Sequence, residues 1–138
     1  MFLFIGFLVM GGYLYKRGSE IASGRNGILG IRAKVVYFYE DKCRFPHSAA
    51  SSALPKDWEK TTPNYSEEGW KEIKYISHYR SHFRYRMINE GSRFRVVADY
   101  KTTYLFGKGL VHSITAILTP GPGCTLISSK MTKDTYWE

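Results

Sequence analysis

Cysteine is scarce in this chain, which has only Cys43 and Cys124 among its 138 residues. Two thiols cannot build a four-cysteine zinc site, and their spacing excludes a Cys-x-x-Cys redox motif. From the residues alone, the pair either forms one disulfide or remains as two free thiols. A disulfide would close a long loop, which the chain-entropy account values at about 4–5 kcal/mol in an oxidising compartment.

Motifs for catalysis and cofactor binding are missing as well. The sequence has no Gly-x-Ser-x-Gly elbow, no P-loop, no dinucleotide-binding glycine fingerprint and no haem-attachment motif. His78 and His82 have a spacing that one helix face could share, but without an intervening glutamate this pair is a weak metal signal. We predict a protein that is not an enzyme, with no catalytic residues, no metal, no cofactor and no small-molecule substrate.

Acidic residues are also in deficit. The chain has 12 acidic against 20 basic residues, which gives a net charge of +8, and 43% of its residues are hydrophobic. This composition is that of one folded domain and not of a disordered chain. A chain of this length has room for a single modest core, which excludes large enzymes whose active site lies between two domains.

An uncharged run that consists mostly of apolar residues stands at the amino terminus. Residues 1–15, MFLFIGFLVMGGYLY, carry no charge, and Lys16 and Arg17 follow them. A membrane span needs about 20 apolar residues, so this run suffices only when both cations snorkel, the bilayer thins or other proteins cover the remainder. A cleaved signal peptide is disfavoured because no basic residue precedes the run and no Ala-x-Ala site follows it.

We therefore predict a single-pass membrane protein with an anchor helix over residues 1–17 and a folded domain over residues 18–138. The alternatives are a cleaved signal peptide and a helix buried in a soluble domain. Glycine and phenylalanine recur along the anchor, and glycines let helix backbones approach closely. We expect the anchor to contact lipid and to pack against other membrane proteins through these residues: Phe2, Phe4, Gly6, Phe7, Gly11 and Gly12.

Helical spacing continues beyond the anchor. Apolar residues recur at positions that predict an amphipathic helix continuing from the anchor: Ile28, Ile31, Val35 and Phe38. Residues 41–69 contain several prolines and a run of serine and alanine, which is typical of an irregular loop.

The carboxyl-terminal half has the alternation of an antiparallel sheet. Apolar and polar residues alternate over residues 83–87 and 94–98, and a third strand is predicted over residues 111–118. Residues 125–128 could add a short edge strand, and the polar tail that follows is predicted to be mobile. The predicted fold class is α+β: an amino-terminal membrane helix continues into an amphipathic helix packed on a three- to four-stranded antiparallel sheet.

Four arginines fall on one face of the predicted hairpin, opposite its apolar residues: Arg84, Arg86, Arg93 and Arg95. Like charges that face each other across strands destabilise a sheet, by a few tenths of a kcal/mol or more. The arrangement therefore suggests an anionic partner, either nucleic acid, lipid phosphate or an acidic protein surface. The alternative is a solvated face on which Asp99 or Glu90 relieves the repulsion.

Several segments resemble the type IV pilins and pilin-like proteins. They are VVYFYEDKCRFP at residues 35–46, EEGW at residues 67–70, and the pair HFRYRMI and SRFRVVADY at residues 82–88 and 92–100. The resemblance implies a pilin-like fold with a disulfide between Cys43 and Cys124 and a domain outside the cytoplasm, periplasmic or extracellular. The cations that follow the uncharged run, taken alone, place the domain in the cytoplasm instead.

The sequence departs from the pilin pattern at its amino terminus. Pilins open with a basic leader, a cleavage motif and an early glutamate, whereas the first glutamate here is Glu20. We expect either a start assigned downstream of the biological one or a pilin body that has lost the means to polymerise. The predicted role is a membrane-anchored structural subunit that packs by its amino-terminal helix into a larger assembly, as an accessory subunit or as a minor pilin or pseudopilin. The alternatives are a minor pilin that binds DNA or another polyanion through the arginines, and a small secreted hydrolase.

Overall fold

A computed structural model describes residues 2–56, 59–103 and 109–137, with the backbone alone for residues 2–21 and 103. The elements follow one another as helix α1 (Phe2–Lys42), strand β1 (Ala49–Ala50), helix α2 (Glu68–Glu72), and strands β2 (Arg84–Asn89), β3 (Phe94–Thr103), β4 (Gly109–Pro120), β5 (Leu126–Ser128) and β6 (Thr132–Trp137).

The strands form one antiparallel sheet of six strands. Strands β1, β2, β3 and β4 lie side by side in chain order, and β5 and β6 both pair with β4 along its other edge. In the register of the central strands, Met87 faces Val96 and Val96 faces Ala116. This register places the apolar residues of all three strands on the same face, because side chains alternate between faces along a strand.

The predicted fold class is wrong. It joined a membrane helix and an amphipathic helix to a sheet of three to four strands, whereas the sheet has six strands. The added strands carry no apolar alternation that a sequence pattern would reveal. Strand β1 has only two residues, and all six residues of β6 are exposed.

The predicted membrane location is also wrong. Within the part of the chain that the structure describes, no helix combines the length and the apolar character that a membrane crossing requires. Lys16 and Arg17 end the uncharged run after 15 residues, which is short of the about 20 that a span needs. The prediction of a single-pass membrane protein is therefore wrong. The predicted division at residue 17 is not tested, although α1 runs through it without a break.

The core lies between α1 and the inner face of the sheet. Ile28, Ile31 and Val35 of α1 are fully buried, in one cluster with Phe94 and Val96 of β3. Burial of each such side chain contributes about 1.5–3 kcal/mol. The described contacts between α1 and the core thus begin near Gly24 and end at Tyr39.

Helix α1 ends at a corner that a disulfide closes. Cys43 follows the helix with a positive φ of 56°, and its N–H donates to the carbonyl of Tyr39 at 2.8 Å. Cys43 is bonded to Cys124, 81 residues later, beyond the end of β4. The rings of Tyr39 and Phe45 lie beside each other with centroids 5.0 Å apart. The disulfide that the pilin resemblance implies is therefore present, and it ties the end of α1 to the turn between β4 and β5.

Two glycines let α1 approach the aromatic residues that precede and begin β2. A Cβ atom at Gly24 would lie 2.6 Å from Cζ of Phe83, and one at Gly27 would lie 2.6 Å from Cε1 of Tyr85. Both rings are buried, so neither can swing freely away. Gly30 differs, because its Cβ would meet only Tyr75, at an ordinary 3.9 Å.

Alanine at Gly27 and at Gly30 should therefore change stability in opposite directions. We expect Gly27→Ala to lower the free energy of unfolding by about 2 kcal/mol, the usual size of an overpacking penalty. Gly30→Ala should raise it by about 0.5–1 kcal/mol, because alanine favours the helix and meets no obstacle. Urea denaturation of both variants tests this, and a loss of equal size at both positions would contradict the close packing.

Candidate functional site

The predicted arginine face is the outer face of the sheet, opposite α1. Arg84 and Arg86 of β2 and Arg95 of β3 point to this face because they alternate with the buried residues of their strands. Arg93 lies immediately before β3. Arg84 faces Asp99 across the β2–β3 ladder, which puts a carboxylate on the same face as the cations.

Asp99 forms the centre of one pair of arginines. Its carboxylate is fully buried and accepts from Arg86 Nε at 2.6 Å and from Arg86 Nη2 at 3.1 Å. Arg84 Nε donates to it at 3.1 Å, and the hydroxyl of Ser113 on β4 donates at 2.6 Å. A buried carboxylate with this many donors is fully paired, so three strands are joined at this point.

Glu90 forms the centre of the second pair. Its carboxylate oxygen Oε1 lies 3.1 Å from Nε of Arg93 and 2.6 Å from Nε of Arg95. Desolvation acts to raise the pKa of Glu90, but the hydrogen bond from Arg93 and the charge of Arg95 outweigh it, and the net pKa lies below its usual value. This pair sits in the β2–β3 turn and is more exposed than the Asp99 group.

The structure thus arranges the four predicted arginines as two pairs, each held by a carboxylate. The ion pairs relieve the repulsion that like charges would produce on one face. Two carboxylates against four guanidinium groups leave the face with an excess of positive charge. An anion-binding role for these arginines stays a prediction.

A second cluster of charges lies beside the disulfide corner, and sequence reasoning missed it. Glu72 of α2 accepts from the backbone N–H of His47 at 2.8 Å, and its Oε1 lies 2.6 Å from Nδ1 of the same histidine. Its other oxygen lies 2.9 Å from Nη1 of Arg44. His47 and Glu72 are 25 residues apart in the chain, and no local motif joins them. The cluster fastens α2 to the segment that follows α1.

The pKa values in this cluster shift in opposite directions. The hydrogen bond to Glu72, followed by the negative charges of Glu72 and Glu68, raises the pKa of His47. Partial burial acts to raise the pKa of Glu72, but hydrogen bonds from His47 and Arg44 outweigh it, and the net pKa is lowered.

These shifts predict a pH window in which the cluster stabilises the fold. The contribution of Glu72 is present above its ordinary pKa of 4.5 and is lost as the pH falls through the lowered folded value. The contribution of His47 is present below its ordinary pKa of 6.5 and is lost as the pH rises through the raised folded value. The stability difference between the natural chain and Glu72→Gln should therefore be largest between these two pH values. Urea denaturation across the pH range measures it.

His47→Asn is the control for this window. It should remove only the loss at high pH and leave the loss at low pH, since the Arg44–Glu72 pair persists. A stability difference for Glu72→Gln that does not vary with pH would contradict the assignment.

The remaining predicted residues fall into two groups. The side chains assigned to helix packing lie outside the described residues: Phe2, Phe4, Gly6, Phe7, Gly11 and Gly12. Cys43 and Cys124 are brought together as a disulfide. Among the residues whose positions are described, no three His, Cys, Asp or Glu side chains gather where they could hold a metal ion.

In comparisons with known proteins, no protein family, no curated protein and no solved structure matches this chain. The resemblance to type IV pilins therefore depends on the sequence segments alone and stays a prediction.

Proposed function

We propose that this chain is a non-enzymatic, pilin-like structural subunit that packs by the amino-terminal half of α1 against helices of other subunits in a larger assembly. The observation that carries the proposal is the length of α1, which has 41 residues. The residues of α1 that the structure describes as buried begin at Gly24 and end at Tyr39. The same helix extends through the uncharged residues 2–15.

The dimensions of the helix support this role. At 1.5 Å per residue, α1 is about 60 Å long, and the uncharged residues 2–15 account for about 20 Å of it at the amino-terminal end. A helix surface without charge on any side is stable when other apolar surface covers it. Helices of neighbouring subunits would supply such cover, and Gly6, Gly11 and Gly12 would let their backbones come close.

The pilin-like part of the proposal is supported by the segment over residues 35–46. This segment contains the end of α1, the disulfide corner and the aromatic contacts of Phe45 with Tyr39 and Phe94. In the pilin pattern the same segment marks the end of the helix, where the chain turns away to the rest of the domain. The proposed roles of the two parts of α1 are therefore separate: one holds the domain and the other reaches the neighbours.

A photo-crosslinking residue at Phe7 tests the proposal in the cells that make the protein. We expect one discrete adduct of higher mass at this position, because the proposed neighbour helix lies against it. The same residue at Tyr37, a position on α1 that is 72% exposed, is the matched control and should give no discrete adduct. Leu8→Arg should abolish the Phe7 adduct, since a charge in an apolar helix contact is costly. Equal labelling at Phe7 and Tyr37 would refute the proposal.

A second proposal, anion binding by the outer face, is favoured by one observation. The carboxylates of Asp99 and Glu90 hold the four guanidinium groups in place while all four keep exposed surface. An anion would then meet ordered donors, which lowers the entropic cost of binding.

Binding to a DNA duplex at several salt concentrations tests this second proposal. Affinity should fall steeply with salt, and replacing Arg93 and Arg95 with Gln should make the slope shallower by about 1–2 units. Lys130→Gln, which removes a cation outside this set of arginines, is the control. An unchanged slope in the double variant would exclude the arginine face as the site.

A further inference from the structure

The sheet has one long edge that none of its own described strands covers. Strand β1 ends the sheet on one side with only two residues, and β5 occupies three residues of the other side. Strand β6 has six residues, pairs with β4 by one edge, and pairs with no other strand among the described residues. Short strands are a common protection against pairing with another chain, and β6 lacks that protection.

The backbone of β6 presents donors to this edge. The N–H of Thr135 donates to the side chain of Asp134 at 2.8 Å and therefore does not belong to the ladder with β4. The side chains of β6 are all exposed, including Tyr136 at 42% and Trp137 at 64%. A second strand could replace the Asp134 carboxylate as the acceptor for this N–H without disturbing β4.

We propose that β6 pairs antiparallel with β6 of a second copy, about a two-fold axis that lies midway between the two copies of Thr135. Opposite residues in an antiparallel pair point to the same face of the sheet. A two-fold axis perpendicular to the sheet must therefore lie where one residue faces its own copy, and it cannot lie level with the peptide bond between two neighbouring residues. An axis at Asp134 would oppose two aspartates, and one at Lys133 would oppose two lysines. Like charges directly opposite destabilise the pair.

The register centred on Thr135 avoids both conflicts. It opposes the two threonines, which exchange N–H···O=C bonds, and it places Lys133 across from Trp137 of the second copy. An axis at Tyr136 would also avoid like charges, but it aligns only the three residues from Thr135 to Trp137. The avoidance of like charges and the number of aligned residues together therefore select the axis at Thr135.

This contact is weak by itself and becomes effective in an assembly. One pair of strand edges buries less than the about 1,200 Å² of a stable interface. The net charge of +8 on each copy also opposes association, so salt should strengthen the pairing by screening the repulsion. In an assembly held through α1, the local concentration of copies is high and a weak edge contact suffices. The register of the pair does not depend on the proposed role of α1, which would only raise the local concentration of copies.

Single cysteines at two positions of the full chain test the register with a short bifunctional thiol reagent. In the proposed register the two copies of residue 135 are about 5.5 Å apart, whereas the two copies of residue 133 are about 13 Å apart along the strands. Thr135→Cys should therefore give at least tenfold more covalent dimer than Lys133→Cys, which lies on the same strand and the same face. Equal yields, or more dimer from Lys133→Cys, would overturn the proposal.

A second measurement does not need an added thiol. Sedimentation of the full chain at high protein concentration should show a dimer fraction that rises with salt. Thr135→Pro removes the edge N–H but no ladder bond to β4, so it should lower this fraction while the fold is retained. A dimer fraction that falls with salt, or that Thr135→Pro leaves unchanged, would assign the association to another surface.

Discussion

Replacing Cys43 and Cys124 with alanine is expected to lower the free energy of unfolding by about 4 kcal/mol. The disulfide joins residues 81 positions apart, and the chain-entropy account gives about 4.5 kcal/mol for a loop of that length. Cys43 is exposed and Cys124 is only half-buried, so loss of packing adds little. Since domains have about 5–15 kcal/mol of stability, this loss is a large share of the total. Urea denaturation of the natural and the double-variant chains measures it.

The backbone at Cys43 offers a matched control. This residue has a φ of 56°, a conformation that glycine adopts more readily than alanine. The pair Cys43→Gly and Cys124→Ala should therefore be about 1 kcal/mol more stable than the pair of alanines. Chemical reduction of the natural chain should produce a loss similar to that of the alanine pair. A loss below about 1 kcal/mol would show that the unfolded chain is already compact around these residues.

Asp99→Ala is expected to cost about 3 kcal/mol. The carboxylate is fully buried and is the shared acceptor for Arg84, Arg86 and Ser113. Removing it leaves two half-buried guanidinium groups and a buried hydroxyl without their acceptor, and unpaired groups of this kind are costly. Thermal or urea denaturation measures the change.

Glu90→Ala is the matched comparison for the loss of stability expected from Asp99→Ala. Glu90 also pairs with two arginines, but in an exposed turn where water and salt screen the ion pairs, so its loss should cost much less than that of Asp99. The two substitutions remove the same charge from the same face, so net charge cannot explain a difference between them. If both cost the same, burial of the Asp99 carboxylate would not be the cause.

Part of the fold is predictable from the sequence. Strands β2 and β3 lie where apolar and polar residues alternate, because one face of each strand is buried against α1. Strand β6 lies where a mobile tail was predicted, and this prediction is wrong. Its six residues are all exposed, so hydrogen bonds to β4 hold it in place and no hydrophobic pattern records them. The predicted number of strands was too low for this reason.

Part of the candidate site is likewise predictable from the sequence, and part is not. Alternation places Arg84, Arg86 and Arg95 on the outer face, since it needs only the period of a strand. The pairing of arginines at Asp99 depends on the register between β2 and β3, which a single strand pattern does not contain. The contact of His47 with Glu72 depends on how the loop after α1 meets α2. Contacts of this kind between distant segments become visible only in the folded chain.

The docking of α1 onto the sheet has a consequence for the order of folding. Strands β2, β3 and β4 are joined by short connections, so their pairing is local in the chain. In contrast, the contact of Gly27 with Tyr85 spans 58 residues, and the hydrogen bond from Arg32 to Ser128 spans 96. Closing such long loops is slow, and we expect the meander of three strands to form first and the helix to dock later, within about milliseconds to seconds. The thiols of Cys43 and Cys124 meet only after that docking, so oxidation should follow folding and make it hard to reverse.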